Sequence, residues 1–150
     1  MRRLISLFLG CSSLAIASVA FGAGAPAAGT GMGASAAGAA SPDQEISTAL
    51  QHAGMSAGSS TLADVHMHLH HVLNCLVGPS GKGFDATAED PCKGQGNGAV
   101  NDVDNKSKKL KKLDEAVKDT DKGLKDNNLK KAQKYAKDVM KDLQAAQKAK

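Results

Sequence analysis

The stretch TLADVHMHLHHVLNCLV, residues 61–77, decides the fold. Its apolar residues recur at the three- and four-residue spacing of an amphipathic helix. Gly78 and Pro79 follow at once and favour a helix end, because glycine accepts a left-handed cap and proline cannot continue the helix. We therefore expect one helix here, capped by Ser59 or Ser60, with a core face formed by Leu62, Val65, Leu69, Val72, Leu73 and Leu76.

Four of the five histidines lie inside this predicted helix, within the six-residue span 66–71. At 100° per residue, His66 and His70 fall together on one shoulder of the apolar face. His68 falls on the opposite shoulder, and His71 is expected to point away from the core, with Cys75 beside both. The helical geometry therefore predicts two pairs of histidines instead of one cluster.

Imidazoles are common ligands of zinc, copper and nickel. The i,i+4 pair His66 and His70, with His52 of the preceding helix as third ligand, is the preferred candidate for a site inside the bundle. His68 and His71 are the candidate for a shallow site. Met67 lies between two histidines, and a thioether beside imidazoles favours Cu(I). The alternative is that these side chains are ordinary boundary and surface residues.

The segment before this helix begins with the helix-start signal SPDQ, residues 41–44. Ser41 is a predicted cap, Pro42 suits the first helical position, and Gln44 suits a capping box. The apolar stripe continues through Ala53, and Gly54 or the residues 58–60 are expected to end or break the helix.

Two more amphipathic helices are predicted near the C-terminus. The third helix, capped by Asp102 or Asp104, and the fourth helix have heptad-like stripes and are joined by a turn at residues 126–128. The apolar positions are Leu110, Leu113, Val117, Thr120 and Leu124 in the third, and Leu129, Ala132, Ala136, Val139, Leu143 and Ala146 in the fourth. With no strand pattern present, we predict an all-α fold, a four-helix up-and-down bundle.

The glycine-rich residues 78–101 form a long predicted loop between the second and third helices. A disulfide between Cys75 and Cys92 would pin this loop, with Phe84 packed against the bundle end. The alternative, Cys75 as a metal ligand beside His68 and His71, is disfavoured in an oxidising compartment.

Residues 1–22 have the features of a signal peptide: a short cationic start, an apolar run and small exit residues. Residues 23–41 are mostly Gly, Ala and Ser and are expected to form a disordered spacer, which leaves 42–150 as the helical domain. A lipoprotein-like Cys11 is the alternative exit from the leader. With no later membrane span expected, the protein is predicted to be bacterial and periplasmic or secreted.

Charge and motifs exclude several functions. Residues 106–150 hold fifteen lysines, but seven acidic residues are interleaved with them and aromatic residues are scarce, which argues against nucleic acid. No nucleophile, zinc-protease or paired-carboxylate motif is present, so an enzyme is not expected. GPSGKG at residues 78–83 lacks the spacing of a phosphate loop, and residues 102–113 lack the glycine and glutamate of a calcium loop. Large apolar residues are too few to shield a haem.

The pattern HLHHxxNCLxGP at residues 68–79, followed by Pro91 and Cys92, resembles that of small exported bacterial proteins without an assigned activity. More loosely, a histidine-bearing helical domain rich in Ala and Lys is similar to the periplasmic small metal-binding proteins. That resemblance implies metal binding by a helical bundle, although this chain lacks regular histidine heptads.

These observations predict an exported, non-catalytic metal-binding or metal-buffering protein. The ion would be copper, zinc or nickel, and the candidate ligands are His66, His70, His68, His71, His52 and Met67. The alternative hypothesis is a structural or interaction module that contacts another protein of the cell envelope and binds no metal.

Overall fold

The computed structural model describes residues 40–149, which contain five α-helices and no strand. The predicted leader, Cys11 and nearly all of the predicted spacer lie outside the described residues. The helices are α1 (Pro42–Gly58), α2 (Leu62–Val77), α3 (Ala99–Asp102), α4 (Lys108–Lys125) and α5 (Leu129–Lys148). The all-α prediction is confirmed, and the short α3, at the end of the predicted loop, is an addition to it.

The helix starts follow side-chain capping, in part at residues other than those predicted. Thr61 accepts a hydrogen bond from the backbone N–H of Asp64 and caps α2, in place of Ser59 or Ser60. Ser107 caps α4, in place of Asp102 or Asp104, because α3 and a short turn occupy the preceding residues. Ser41 precedes α1 without a capping hydrogen bond from its side chain. Helix α1 also continues through Gly54, so that α1 reaches Gly58.

The core lies between α1, α2, α4 and α5 and uses the predicted apolar stripes. Ile46, Leu69, Leu76, Leu113 and Leu143 are its largest fully buried apolar side chains. Thr120 is buried within the α4 stripe, where its hydroxyl donates to the backbone carbonyl of Ala116. The turn at residues 126–128 is confirmed, with Asn128 capping α5.

The segment between α2 and α3 is held against α2 by covalent and polar contacts. Cys75 and Cys92 form the predicted disulfide. In the chain-entropy model, a disulfide that closes a loop of this size adds about 3 kcal/mol to the free energy of unfolding. The buried side-chain amide of Asn74 donates to the carbonyls of Asp85 and Glu89 and accepts the N–H of Asp85. Phe84 packs against the core, as predicted. The face of α2 near its C-terminal end is therefore covered by this loop.

Candidate metal centre

Helices α1 and α2 form an antiparallel hairpin that brings histidines from both helices together. The hydroxyl of Ser56 donates to the backbone carbonyl of Val65 at 2.9 Å and fixes the register near the connection. Farther from the connection, His52 of α1 lies against His68 and His71 of α2. We refer to His52, His68 and His71 as the histidine triad.

The triad nitrogens converge on a small volume. Nδ1 of His52 lies 3.4 Å from Nδ1 of His68 and 3.2 Å from Nδ1 of His71. One ring nitrogen from each histidine lies within 4.8 Å of the other two. The ring centroids are 4.9–5.6 Å apart, and the His71 ring is nearly perpendicular to both others. The rings are therefore not stacked, and their edges meet.

Burial makes a positive charge on the triad unfavourable. His71 is 6 % exposed, whereas His52 and His68 are half-buried. Desolvation lowers the pKa of His52 and of His71, and the neighbouring imidazoles lower both further. Glu89, in the disulfide-pinned loop between α2 and α3, raises the pKa of both groups and so acts in the opposite direction. His52 and His71 are therefore biased towards the neutral form that binds metals.

Two of the predicted histidine ligands and Cys75 have other partners. His66 donates from Nε2 to the backbone carbonyl of Asp126 at 3.1 Å, which links α2 to the turn after α4. Nδ1 of His70 lies 3.2 Å from a carboxylate oxygen of Asp85. Cys75 is in the disulfide. The expected grouping of His52 with His66 and His70 is therefore wrong, because α1 packs on the other side of α2.

His71 is also buried where solvent exposure was expected. The residues from His71 to Val77 are all buried, since α1 covers one side of this segment and the pinned loop another. A helical projection gives directions relative to the apolar stripe of one helix, and it contains no information about a loop that packs on the opposite side. The cysteine pair was the only sequence signal for that cover.

A second buried ionisable group lies two turns before His52 on the same face of α1. Glu45 is 1 % exposed, and its Oε1 accepts the N–H of Gly98 at 2.8 Å. Its Oε2 has no hydrogen-bond partner among the described residues. Desolvation raises the pKa of Glu45 to about 7, and the adjacent carboxylate of Asp102 adds to the increase. We refer to Glu45 and Asp102 as the carboxyl pair.

The carboxyl pair was not predicted from the sequence. The one sequence signal for it was that Glu45 is four residues before Ala49 and directly beside Ile46, at the edge of the apolar stripe of α1. Asp102 approaches it through the residues around α3, where Asp102 also accepts the N–H of Asn97 at 2.7 Å. Gly96 is required at this point, since a Cβ there would lie 2.2 Å from Oδ2 of Asp102.

Five of the thirteen lysines of α4 and α5 form ion pairs with acidic residues. Lys112 pairs with Glu115, Lys122 with Asp119, and both Lys134 and Lys141 with Asp138. A shallow cleft between α4 and α5 is lined by alternating acids and lysines from Glu115 to Asp142. This surface is therefore of mixed charge.

None of the helices in residues 40–149 combines the length and apolar character that crossing a membrane requires. Comparisons of the chain with protein-family models, curated proteins and solved structures find no match. The case for a function therefore rests on the histidine triad and on the elements that position it.

Proposed function

We propose that this protein is an exported metal-binding or metal-buffering protein in which His52, His68 and His71 bind one transition-metal ion. The observation that carries the proposal is the convergence of three imidazole nitrogens from two helices in a partly buried position. Three histidines with a fourth position left for water or another ligand are a known arrangement for zinc.

Hydrogen bonding alone satisfies this arrangement poorly. Nδ1 of His52 faces Nδ1 of both His68 and His71, and a neutral imidazole has one N–H and one lone pair. If Nδ1 of His52 accepts, its single lone pair serves only one neighbour. If it donates, one hydrogen is shared between two acceptors. A metal ion instead uses the lone pairs of all three nitrogens.

The distances also suit an ion. Tetrahedral zinc with Zn–N distances of about 2.0–2.1 Å separates its ligand nitrogens by about 3.3–3.4 Å. The two measured Nδ1–Nδ1 separations from His52 are 3.2 and 3.4 Å. Imidazole ligands favour zinc, copper and nickel over calcium or magnesium, which prefer oxygen.

A binding role is preferred to catalysis. Three clefts on the described surface are lined by residues of α4, α5 and the segments near Pro42, and none of these three includes a triad histidine. These three clefts therefore give no support to a substrate site at the triad. Export is supported by the leader-like sequence, and the disulfide is consistent with an oxidising compartment.

We further propose that α1, α2, α4 and α5 form a four-helix up-and-down bundle, which carries the metal site. Support comes from contacts at the helix ends. His66 near the start of α2 meets Asp126 at the end of α4, whereas Val77 at the end of α2 accepts from Asn101 before α4. Gln133 near the start of α5 donates to Ser59 after α1. Neighbouring helices with these contacts run antiparallel.

The test is metal titration of the mature chain with Zn(II), Cu(II) and Ni(II), each in competition with a chelator of known affinity. We expect saturable one-to-one binding of at least one ion. H52A, H68A and H71A should each weaken it by at least about 100-fold, because each removes a direct ligand and the loss of an outer-shell partner alone costs about 10–100-fold. H66A and H70A are matched controls from α2 and should change the affinity by less than about threefold.

Circular dichroism of each variant separates loss of a ligand from loss of the fold. Absence of saturable binding by the folded wild-type protein would overturn the proposal. Equal losses in the triad variants and the control variants would do so as well, since binding would then not depend on this site.

A further inference from the structure

Two methionines are exposed on the helical hairpin that carries the histidine triad. Met55 is 48 % exposed and Met67 is 45 % exposed, and they are the two large apolar side chains with such exposure in the described part of the chain. Single exposed apolar residues are ordinary on protein surfaces. Met55 and Met67 differ from this ordinary case because one lies in each helix of the same hairpin.

The register of the hairpin brings the two methionines to the same level. Ser56 contacts Val65, so each residue before Ser56 in α1 faces a residue after Val65 in α2. Met55 and Met67 therefore lie close to each other along the hairpin axis. Both are within about one helical turn of the triad, on the side of the α1–α2 connection.

Each methionine also shares a helix face with one triad histidine. Met55 follows His52 by three residues in α1, and Met67 precedes His71 by four in α2. Side chains at these spacings are neighbours on a helix surface. This spacing therefore places one thioether from each helix next to a triad histidine of its own helix.

We propose that Met55 and Met67, with an imidazole of the triad, form a Cu(I) site at the outer edge of the triad. The inference rests on the proposed function and names the metal ion that it favours. Thioether sulfur is a soft ligand that selects Cu(I), whereas zinc prefers the imidazoles and gains little from sulfur of this kind. The site accordingly discriminates Cu(I) from Zn(II) through its methionines.

The experiment is anaerobic titration of the mature protein with Cu(I) in competition with bicinchoninate, together with Zn(II) titration of the same samples. The variant M55L/M67L replaces both sulfurs by side chains of similar volume. We expect it to bind Cu(I) at least tenfold more weakly than the wild type and to keep its Zn(II) affinity within about twofold. M140L is the matched control, because Met140 packs against the core.

X-ray absorption at the copper edge provides a second measurement. Copper–sulfur scattering should be present in the wild-type Cu(I) complex and absent in M55L/M67L. Unchanged Cu(I) affinity in M55L/M67L, while H71A loses Zn(II), would overturn this inference and leave the proposed function intact. Equal loss of both metals in M55L/M67L would also overturn it. No binding of either metal by the wild type would instead overturn the proposed function itself.

Discussion

The histidine triad and the carboxyl pair are two partly buried ionisable clusters along one face of α1, and burial shifts the pKa values of their members in opposite directions. Glu45 and His52 are seven residues apart, which is about two helical turns. Both prefer the neutral form, because desolvation raises the pKa of Glu45 to about 7 and lowers that of His52. The neutral forms, however, can satisfy the hydrogen-bonding groups of only one of the two clusters.

A proton is sufficient for the carboxyl pair. Protonated Glu45 carries no charge, keeps the hydrogen bond from Gly98 and gains a donor beside Asp102. In the triad, loss of the proton removes the charge but leaves nitrogens facing each other at 3.2 and 3.4 Å. The difference between the clusters supports the proposed metal ion, because no single protonation state pairs Nδ1 of His52 fully with both of its neighbours.

The largest expected effect is that of Glu45→Gln on the free energy of unfolding above neutral pH. The pKa of Glu45 is 4.5 as the ordinary value and about 7 in the folded protein, so folding takes up a proton between these values. Stability from this group is therefore full below pH 4.5 and is lost as the pH rises through 7. We expect E45Q to be more stable than the wild type by up to about 3 kcal/mol at pH 8.

The measurement is urea denaturation at pH 4.5 and pH 8. Glutamine can accept from Gly98 and donate to Asp102, so the advantage of E45Q should disappear at pH 4.5. E45A is the control that leaves the N–H of Gly98 without its acceptor and should be less stable than E45Q at both pH values. An E45Q protein with the same pH dependence as the wild type would show that the proton is not taken up at Glu45.

The second effect is smaller and has the opposite sign. The pKa of His52 and of His71 is lowered from 6.5, chiefly by desolvation. The unfolded chain therefore binds more protons than the folded one, and the metal-free protein should lose stability as the pH falls below 6.5. We expect H52N/H71N to reduce this loss of unfolding free energy at acid pH. The change should be smaller than the one that E45Q produces above neutral pH, because His52 remains half-buried.

The same denaturation experiment, with a chelator present throughout, measures this difference between pH 7 and pH 5. His66 and His70 supply the control, as H66N/H70N should leave the contribution of the triad in place. If the free energy of unfolding decreased equally between pH 7 and pH 5 in the wild type and in H52N/H71N, the assigned burial of these histidines would be contradicted.

The two clusters also show where sequence patterns stop being informative. The stripe of α5 predicted all five of its buried residues, since a helix needs only its own period to define a core face. The stripe of α4 predicted the burial of Leu113 and Thr120 but not that of Ala116 and Gly123. The disulfide was predictable because two of the three cysteines lie outside the predicted leader. These features depend on local pattern or on composition.

Residues that meet across helices were not predictable in the same way. His52 pairs with His68 and His71 because of the side on which α1 packs, and periodicity leaves that side undetermined. Glu45 meets Gly98 through a glycine-rich connection, and a sequence of this kind does not specify its path. Sequence therefore identified the five histidines as the candidate ligands, and tertiary packing selected three of them.

The smallest expected effect comes from an ionic cluster on the surface of α5, which tests whether burial is what distinguishes the triad and the carboxyl pair. Asp138 accepts hydrogen bonds from Lys134 at 2.6 Å and from Lys141 at 2.9 Å. The two lysines lower the pKa of Asp138 through these contacts, yet their side chains are 72 % and 75 % exposed. Solvent and salt screen such pairs, so we expect D138N to change the free energy of unfolding by less than about 0.5 kcal/mol.

Urea denaturation at pH 7 in low salt and in 1 M salt measures the effect, which should shrink further in 1 M salt. Asp138 has two cationic partners at hydrogen-bond distance, whereas Glu45 has one backbone donor, so the number of contacts alone would rank Asp138 as the more important acid. A loss of more than 2 kcal/mol in D138N would support that ranking. A near-neutral D138N beside a strongly pH-dependent E45Q would instead establish desolvation as the property that separates the buried clusters of α1 from the ion pairs of α5.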